Sequence, residues 1–428
     1  MSRAPSVLVP QHFGSLVFDR HTSRYLPFDR EVTALLVAAQ ERPLLEVAAS
    51  LAPARRALVE GLLDEFYPCG LFTPDLRFAG EVRALTPPDG HLAGPLALHL
   101  EVAAACNLAC THCFAGELPR RERALTLPEL DALFATLSAL GCFRLGLTGG
   151  EPLLRRDLLD VIDLALGHGL HPCLTTNGLL LDEPMARALG RRTLVWINVS
   201  LDGATAATND RTRGAGTFDR VVEKVRLLAR HARVTLAFTV LSHNAHEAPA
   251  FARLARELGA RTAVLRPLYP VGSAASDLSQ MPTFAQYQAA LDALAPEHCP
   301  RGIDPFGPHT RTEAQARTYD NLGCGAGNTV CSISLGGDMN PCSFLGPSFV
   351  GGNLRERPFE ELWRRGASFR ALREARDDAF TGGCRARAMA LAGSAWAPDP
   401  WIVEHHRAPQ ATRHPLVVLD PRRRRATA

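Results

Sequence analysis

The chain has 428 residues, of which 46% are hydrophobic, and this is enough for two or three domains with packed cores. Its formal net charge is only +3, and no basic stripe interleaved with aromatic residues appears, which argues against a nucleic-acid-binding protein. No apolar run approaches the ~20 residues that span a membrane, and the N-terminus lacks the apolar core of a signal peptide. We therefore expect a cytoplasmic protein with no membrane or nucleic-acid partner.

Residues 1–85 predict a small domain that combines a sheet with helices. Two short alternating stretches around a polar turn, FGSLVFDRHTSRYLPFD, predict a β-hairpin. Helical patterns follow in REVTALLVAAQ, LLEVAASLA and RRALVEGLLDEFYPCGLF. Residues 86–95, TPPDGHLAGP, are rich in proline and glycine and predict a linker.

Residues 96–295 alternate between strand and helix patterns, which predicts an α/β domain. Six stretches predict buried strands: LALHLEV, FRLGLTG, HPCLTT, LVWINVSLD, VTLAFTVL and TAVLRPL. Helical stretches between them predict a parallel sheet that is curved or closed into a partial or full barrel, with ligands at the carboxyl ends of its strands. We expect a cysteine-rich domain at 296–406 and a basic tail at 407–428 to follow.

The motif CNLACTHC contributes Cys106, Cys110 and Cys113 in the loop after the first of these strands. The chain has an odd number of cysteines, eleven, and a reducing compartment disfavours disulfides, so we expect clustered cysteines to bind metal. Three thiolates suit a 4Fe–4S cluster with one open iron. Zinc with His112 as a fourth ligand is the alternative, although His112 adjoins Cys113 and the two are poorly separated for one tetrahedral ion.

The spacing Cys-x3-Cys-x2-Cys after a first strand resembles the signature of the radical S-adenosylmethionine (radical SAM) family. The stretches TGGEPLL, TTNG, VSLDG and NDRTRGAGTFD follow later strands and resemble further motifs of that family. The resemblance covers roughly residues 96–270. It implies cofactor contacts from Phe114, Gly149, Gly150, Glu151, Asn177, Ser200, Asp202, Arg211 and Arg213.

The same resemblance implies a partial (β/α)6 barrel and a specific chemistry. A 4Fe–4S cluster on the three cysteines would bind S-adenosylmethionine and cleave it reductively to a 5′-deoxyadenosyl radical, which removes hydrogen from an unactivated C–H bond. In this scheme the cofactors perform the difficult step, while the protein positions them and excludes water. An external electron donor such as ferredoxin or flavodoxin is implied. No catalytic acid or base is assigned.

The later stretches CGAGNTVCSISLGGDMNPCSFLG and GGCRARAMA resemble the SPASM extension of radical enzymes that act on peptides. The resemblance implies a second, auxiliary 4Fe–4S cluster on Cys324, Cys331, Cys342 and Cys384. The ligands of a further auxiliary cluster are missing: Thr381 and Trp401 stand where two of its cysteines are expected. We therefore expect one auxiliary cluster, and zinc at the same four cysteines is the alternative.

The hairpin and helices of residues 1–85 resemble the PqqD-like domain, also called the RiPP recognition element. This resemblance implies a precursor peptide as partner, its leader captured as an added strand at a sheet edge. The alternative is a winged-helix-like module that only packs on the barrel or mediates dimerisation.

Two enzymatic functions follow from these resemblances. The first is a maturase that abstracts hydrogen from a ribosomally made precursor peptide. The second is a radical enzyme that oxidatively alters a tetrapyrrole or another small molecule, because GGCRARA and the following DPW also resemble the tails of haem-pathway radical enzymes.

Overall fold

The computed structural model describes residues 4–49, 53–116, 123–294, 324–374, 379–380 and 382–407. Residues 296–323 of the predicted C-terminal domain and the predicted basic tail from residue 408 onward lie outside this description. In the ranges given above, no helix has both the length and the apolar composition that crossing a bilayer requires.

The N-terminal part contains the predicted hairpin and three helices, together with two strands that the sequence analysis missed. Its elements are β1 (Ser6–Gln11), β2 (Gly14–Asp19), β3 (Arg24–Asp29), α1 (Arg30–Ala38), α2 (Leu44–Ala49), α3 (Pro53–Phe66) and β4 (Glu81–Val82). The sheet order is β3-β2-β1-β4, with β4 parallel to β1 and the other pairs antiparallel. Asp29 begins α1 by accepting a hydrogen bond from the Val32 amide.

The central part confirms the predicted alternation of strands and helices. Its elements are β5 (Ala97–Ala103), α4 (Leu127–Leu140), β6 (Arg144–Gly149), α5 (Leu158–Gly167), β7 (His171–Thr176), α6 (Glu183–Gly190), β8 (Ile197–Ser200), α7 (Ala206–Arg213), α8 (Thr217–Ala229), β9 (Val234–Val240), α9 (Ala248–Glu257), β10 (Thr262–Pro267) and α10 (Phe284–Leu294). Along β6, Leu145 and Leu147 are buried in the core under the helices, while Gly146 and Thr148 line a cavity inside the barrel. Alternate strand residues therefore serve the core and the site.

The six strands β5 to β10 are all parallel and adjacent in chain order, which is the predicted partial barrel. The C-terminal part adds β11 (Val330–Ile333), β12 (Asp338–Asn340), β13 (Gly352–Asn353), α11 (Phe359–Arg365), α12 (Ala367–Glu374), α13 (Arg385–Ala392) and α14 (Pro400–Arg407). β11 pairs in parallel with β5, so that the sheet has nine strands in the order β10-β9-β8-β7-β6-β5-β11-β12-β13. The C-terminal domain thus continues the sheet of the barrel.

The predicted linker, residues 86–95, is partly buried between the other parts of the chain. The Ala93 amide donates to Gln11 Oε1 (3.0 Å) in the N-terminal sheet. Trp363 Nε1, in α11, donates to the Leu92 carbonyl (2.9 Å). The proline and glycine content therefore correctly predicted a segment without helix or strand. This segment is not a free linker, because it forms hydrogen bonds with both the N-terminal sheet and α11.

The N-terminal domain packs against the amino ends of β6 and β7. Phe18 stacks on Phe143 with ring centroids 4.6 Å apart. The Tyr25 hydroxyl donates to the Gly141 carbonyl (2.9 Å) and accepts from the Phe143 amide (2.8 Å). Arg144 Nε donates to a carbonyl in the β2–β3 turn (2.7 Å). The domain therefore lies at the end of the barrel opposite the carboxyl ends of its strands.

Glu129 joins the barrel to the C-terminal domain at the first turn of α4. Its carboxylate accepts from the Thr126 amide (2.8 Å) and hydroxyl (2.7 Å), which completes a capping box. Arg355 Nε donates to the same carboxylate (2.7 Å). The hydrogen bond from Arg355 and those from Thr126 lower the pKa of Glu129 to about 2.

We expect Glu129→Gln to lower the free energy of unfolding near neutral pH by about 1 kcal/mol, after allowance for solvent screening. Because the folded-state pKa is depressed, the stabilisation is present above the ordinary glutamate pKa and is lost as pH falls toward about 2. Urea unfolding of the metal-free chain at several pH values measures this difference. Glu360→Gln, in the partly exposed Arg364–Glu360 pair of α11, is the control, and an equal pH-dependent loss there would contradict the prediction.

Candidate active site

A cavity of about 200 Å³ lies at the carboxyl ends of the barrel strands. Its wall is built from the loop after β5, the ends of β6 to β10, and the segment after β12. Ten of the residues predicted from the sequence line it: Cys106, Cys110, Cys113, Phe114, Gly149, Gly150, Glu151, Asn177, Ser200 and Arg213. Residues up to 107 positions apart in the chain are thus brought to one place by the parallel sheet.

The cysteine loop is held against the barrel by its backbone and by side chains that include His112. The Thr111 amide donates to the Thr212 carbonyl (3.0 Å), and the Ser273 amide donates to the Cys113 carbonyl (2.8 Å). His112 Nε2 lies 2.9 Å from Asp202 Oδ2. These contacts turn the thiols between them toward the cavity.

All three cysteines of the loop are free thiols. Burial raises the pKa of Cys110 to about 11, and the Arg213 guanidinium opposes this increase. Burial also raises the pKa of Cys113. Metal-free thiols of this kind are protonated near neutral pH, so metal binding releases protons. Among the described residues, no group of three or more His, Cys, Asp or Glu side chains is assembled to hold a metal ion as it stands.

The two glycines after β6 allow the chain to approach the start of the cysteine loop. Gly149 has φ +129°, and a Cβ there would lie 2.4 Å from the Ala103 carbonyl oxygen. At Gly150 a Cβ would lie 2.3 Å from the Ala105 carbonyl oxygen. The Gly150 amide instead donates to Ala103 (2.6 Å). Any larger residue would push the loop and its cysteines away from β6.

Glu151 directs its side chain into the protein. Its carboxylate accepts from the Thr176 hydroxyl (2.6 Å) and from the Asn177 amide (2.7 Å), which joins the ends of β6 and β7. Burial raises the pKa of Glu151, and these two donors oppose the increase. Asn177 in turn donates from Nδ2 to Asn107 Oδ1 (2.7 Å), inside the cysteine loop. The motif around Glu151 therefore ties two strand ends to the loop.

Asp202 and Arg213 form a buried ion pair behind the cysteine loop. Arg213 Nε donates to Asp202 Oδ2 (2.6 Å), and the Thr239 amide donates to Oδ1 (2.7 Å). Burial would raise the pKa of Asp202, but the charges of Arg213 and His112 hold it well below its usual range. Asp202 is completely buried and does not line the cavity, so it orients Arg213 and His112.

Two of the predicted cofactor contacts, Asp202 and Arg211, do not line the cavity. Arg211 is exposed on the far side of α7 and does not line the cavity, whereas Arg213 does. The two arginines are two positions apart, which rotates their side chains by about 200° around the helix. Only one of them can face the cysteine loop.

Several cavity residues were missed in the sequence. They are His99, Thr148, Thr175, Trp196, Asn198, Thr239, Arg266, Tyr269 and Phe344. A signal was available for most of them, because polar residues alternate with apolar ones along β5 to β10 and must face the inside of the barrel. No comparable signal marks Tyr269 and Phe344, which lie outside the strands.

An aromatic bridge, formed by Phe114, Phe344 and Tyr269, crosses the cavity wall. The rings of Tyr269 and Phe344 stack with centroids 4.0 Å apart and an interplanar angle of 12°. Phe344 meets Phe114 edge to face at 5.7 Å. Phe114 directly follows Cys113, and Phe344 comes two residues after Cys342. The bridge therefore connects the two sets of cysteines.

The C-terminal cysteines lie around a second apolar cluster, at the other end of this bridge. Cys324, Cys342 and the buried Cys384 pack there with Tyr269 and Phe344. Burial raises the pKa of Cys384 to about 11. Cys331 differs: it belongs to β11, pairs with Leu98 in β5, and packs in the barrel core. The structure thus groups three of the four predicted auxiliary ligands and places the fourth in the adjoining strand.

Comparison with known proteins follows the same division of the chain. Residues 100–255 match the family model of the radical SAM superfamily, and residues 324–386 match SPASM, an iron-sulfur cluster-binding domain. The mycofactocin maturase MftC of Mycobacterium ulcerans is 32% identical over 335 residues, which are 74% of this chain and 90% of that protein. The AdoMet-dependent heme synthase of Methanosarcina barkeri is 29% identical over 72% of this chain and 96% of that protein.

Among solved structures, SuiB of Streptococcus suis bound to its precursor peptide SuiA matches with a TM-score of 0.71. The match covers 92% of this chain and 98% of SuiB at 14% sequence identity, so it shows a shared fold. Three soft thiols on one cavity wall, with a buried guanidinium beside them, are donors that suit an iron–sulfur cluster and an anionic cofactor group. The protein belongs to the radical SAM superfamily and is an enzyme with a SPASM domain, whose cofactors are S-adenosylmethionine and iron–sulfur clusters.

Proposed function

We propose that this enzyme is a maturase that removes a hydrogen atom from a ribosomally made precursor peptide. The observation that most supports this is the N-terminal sheet, in which β3 is an edge strand that pairs, within the described residues, only with β2. An extended peptide can add to such an edge through backbone hydrogen bonds. The similarity to mycofactocin maturase over most of both chains supports the same assignment.

Within this proposal, the residues of the cavity divide the work. Cys106, Cys110 and Cys113 hold the cluster that binds S-adenosylmethionine. The backbone of Gly149 and Gly150 and the guanidinium of Arg213 bind the methionine end of that cofactor, and the ribose is contacted from the end of β8. When bound, the two cofactors supply the one-electron chemistry that breaks a C–H bond.

The proposal also includes an auxiliary cluster, an external electron donor and a role for the aromatic bridge. Four further thiols, those of Cys324, Cys331, Cys342 and Cys384, hold the auxiliary cluster. An external protein such as ferredoxin or flavodoxin provides the reducing electron. The aromatic bridge separates the substrate space from the auxiliary site and limits the entry of water.

The proposed leader site and the cavity lie at opposite ends of the barrel. The N-terminal domain contacts Arg144 at the start of β6, while Gly149 and Gly150, the proposed cofactor contacts, lie at the end of the same strand. Six residues of strand span roughly 17 Å. The peptide between the leader and the modified residue must therefore cover at least this distance.

The proposal is tested with the full chain, because Val7, Val9 and Phe18 of the N-terminal domain pack into the barrel core and would be exposed in an isolated domain. Labelled synthetic peptides from short open reading frames beside the gene are titrated into reconstituted enzyme. We expect a native leader to bind at least about tenfold more tightly than a scrambled one of equal composition, a difference of about 1.4 kcal/mol. Mass spectrometry then detects the modified peptide. Equal, weak binding of native and scrambled leaders would count against the proposal.

A tetrapyrrole substrate is the second candidate, favoured by the similarity to AdoMet-dependent heme synthase. A planar porphyrin bound in the cavity would contact Trp196 and the aromatic bridge, and its absorbance band would shift on mixing. Porphyrin titration under the same conditions therefore separates the two candidates. A shift without peptide modification would replace the first candidate by the second.

A further inference from the structure

A buried ion pair occupies the end of the C-terminal domain, where the sequence lacks the cysteines of a further auxiliary cluster. Arg387 Nε donates to Asp399 Oδ1 (2.8 Å), and Arg387 Nη2 donates to Oδ2. Asp399 is 0% exposed and Arg387 is 4% exposed. The Arg387 guanidinium lies 3.9 Å from the ring centroid of Trp401, the residue that stands in place of the last cysteine. Two charge-assisted hydrogen bonds and a cation–π contact therefore stabilise this buried cation.

Asp399 also binds the backbone of a cysteine. The Cys384 amide donates to Asp399 Oδ2 (2.7 Å), and the Trp401 amide donates to Oδ1 (3.1 Å). Gly383 permits this approach, since a Cβ at that position would lie 2.3 Å from Asp399 Oδ2. One carboxylate therefore fixes both the loop that presents Cys384 and the start of α14.

Trp401 connects this group to the barrel. Its ring lies 5.4 Å from that of Tyr287 and 5.8 Å from that of Phe284, both in α10. The loop of Cys384 is thus braced through Asp399, Arg387 and Trp401 to the last described helix of the barrel domain. Aromatic packing and one ion pair therefore hold the loop of Cys384 against α14 and α10. A cluster with four thiolate ligands would cross-link the same region.

We propose that Asp399 is a positioning residue for Cys384 and that the Asp399–Arg387–Trp401 group replaces a further auxiliary cluster as the brace of this loop. The inference rests on the role of Cys384 as an auxiliary-cluster ligand, which is itself part of the proposed function. Groups that orient metal ligands in this way commonly contribute 10–100-fold to metal affinity. Asp399 also places one negative charge beside the cluster, balanced by Arg387.

The test uses the full chain with Cys106, Cys110 and Cys113 replaced by alanine, so that the iron bound belongs to the C-terminal cysteines. In this background we expect Asp399→Asn to increase the rate of iron loss to a chelator about 10–100-fold. The cluster that remains should have a more positive reduction potential, because the charge of Arg387 is no longer balanced. An ion pair that only braced the fold at a distance from the cluster would leave the potential unchanged.

A second variant covers the case in which Asp399→Asn does not fold. Replacing both partners, R387M/D399L, removes the buried charges together, so it is expected to destabilise the fold less than Asp399→Asn, which leaves Arg387 without its carboxylate, even though the Cys384 and Trp401 amides lose their acceptor. It also removes the acceptor of the Cys384 amide, so the iron should still be lost rapidly. Glu374→Gln, in the exposed Arg370–Glu374 pair of the same domain, is the matched control and should change neither the rate of iron loss nor the reduction potential.

The outcomes separate the inference from the proposal beneath it. Rapid iron loss in R387M/D399L, in a chain that still unfolds cooperatively, supports the positioning role. Iron retention and potential equal to the parent in both variants overturn the inference and leave the auxiliary cluster in place. A parent that binds no iron at all overturns the auxiliary cluster and the inference together.

Discussion

Replacing Cys106, Cys110 or Cys113 with alanine is expected to lower the rate of deoxyadenosine formation from S-adenosylmethionine and dithionite by at least about a thousandfold, or about 4 kcal/mol of barrier. The three thiols are the donors that line the cavity beside Arg213, and none has a substitute ligand on the same loop except His112. His112 is already engaged with Asp202 at 2.9 Å. Loss of any one thiol should therefore remove the cluster rather than change its ligand.

Chromatographic measurement of deoxyadenosine, together with iron content, checks this prediction. Cys69→Ala is the matched control, because Cys69 is an exposed thiol in the N-terminal domain that takes no part in the cavity. The control should retain full activity and full iron. Activity within about tenfold of the parent in a cavity-cysteine variant would contradict the assignment of the cluster to this loop.

Replacing Arg213 with alanine is expected to have a large effect on both stability and cofactor binding. It leaves the Asp202 carboxylate, which is 0% exposed, without its guanidinium, and breaking a buried pair typically costs about 3–5 kcal/mol of unfolding free energy. It also removes the cation beside the cysteine loop, so we expect the affinity for S-adenosylmethionine to fall about 10–100-fold. Denaturant unfolding and isothermal titration measure the two effects.

Arg211→Ala is the matched comparison for Arg213→Ala. It removes the same side chain from the same helix, two residues away, at an exposed position. Exposed substitutions of this kind change the free energy of unfolding by less than about 0.5 kcal/mol. If Arg211→Ala weakened cofactor binding as much as Arg213→Ala does, the orientation of α7 in the structure would be wrong.

The sequence analysis predicted the fold more completely than it predicted the site. Short, mostly apolar segments located all six parallel strands, because burial on both faces of a sheet favours near-continuous apolar residues in each strand. The short strands β1, β4 and β11 were missed. β4 and β11 have two and four residues and pair with strands that are distant in the chain, so they have no periodicity from which to predict them. β1 has six residues and pairs with β2 next to it in the chain.

The spacing of residues in the sequence identified the candidates for the active site. Tertiary packing determined which of these candidates face the cavity. The cysteine triplet and the Gly149–Glu151 motif follow consecutive predicted strands, and their resemblance to radical SAM motifs predicted that they belong to one site. Whether Arg211 or Arg213 faces the cavity depends on the rotation of a helix about its axis, which only tertiary contacts such as the Arg213–Asp202 pair determine. Asp202 likewise was expected to contact the cofactor, and the folded chain instead buries it behind Arg213.

The C-terminal domain shows the same division most clearly. Its sequence indicated that four cysteines are kept and that Trp401 stands where another is expected, because residue identity and spacing are properties of the chain. The buried pair of Arg387 and Asp399, its contact with Trp401 and its hydrogen bond to the Cys384 loop could not be inferred. They join residues 12 to 15 positions apart through a turn, and only the folded chain excludes the water that would otherwise separate such charges.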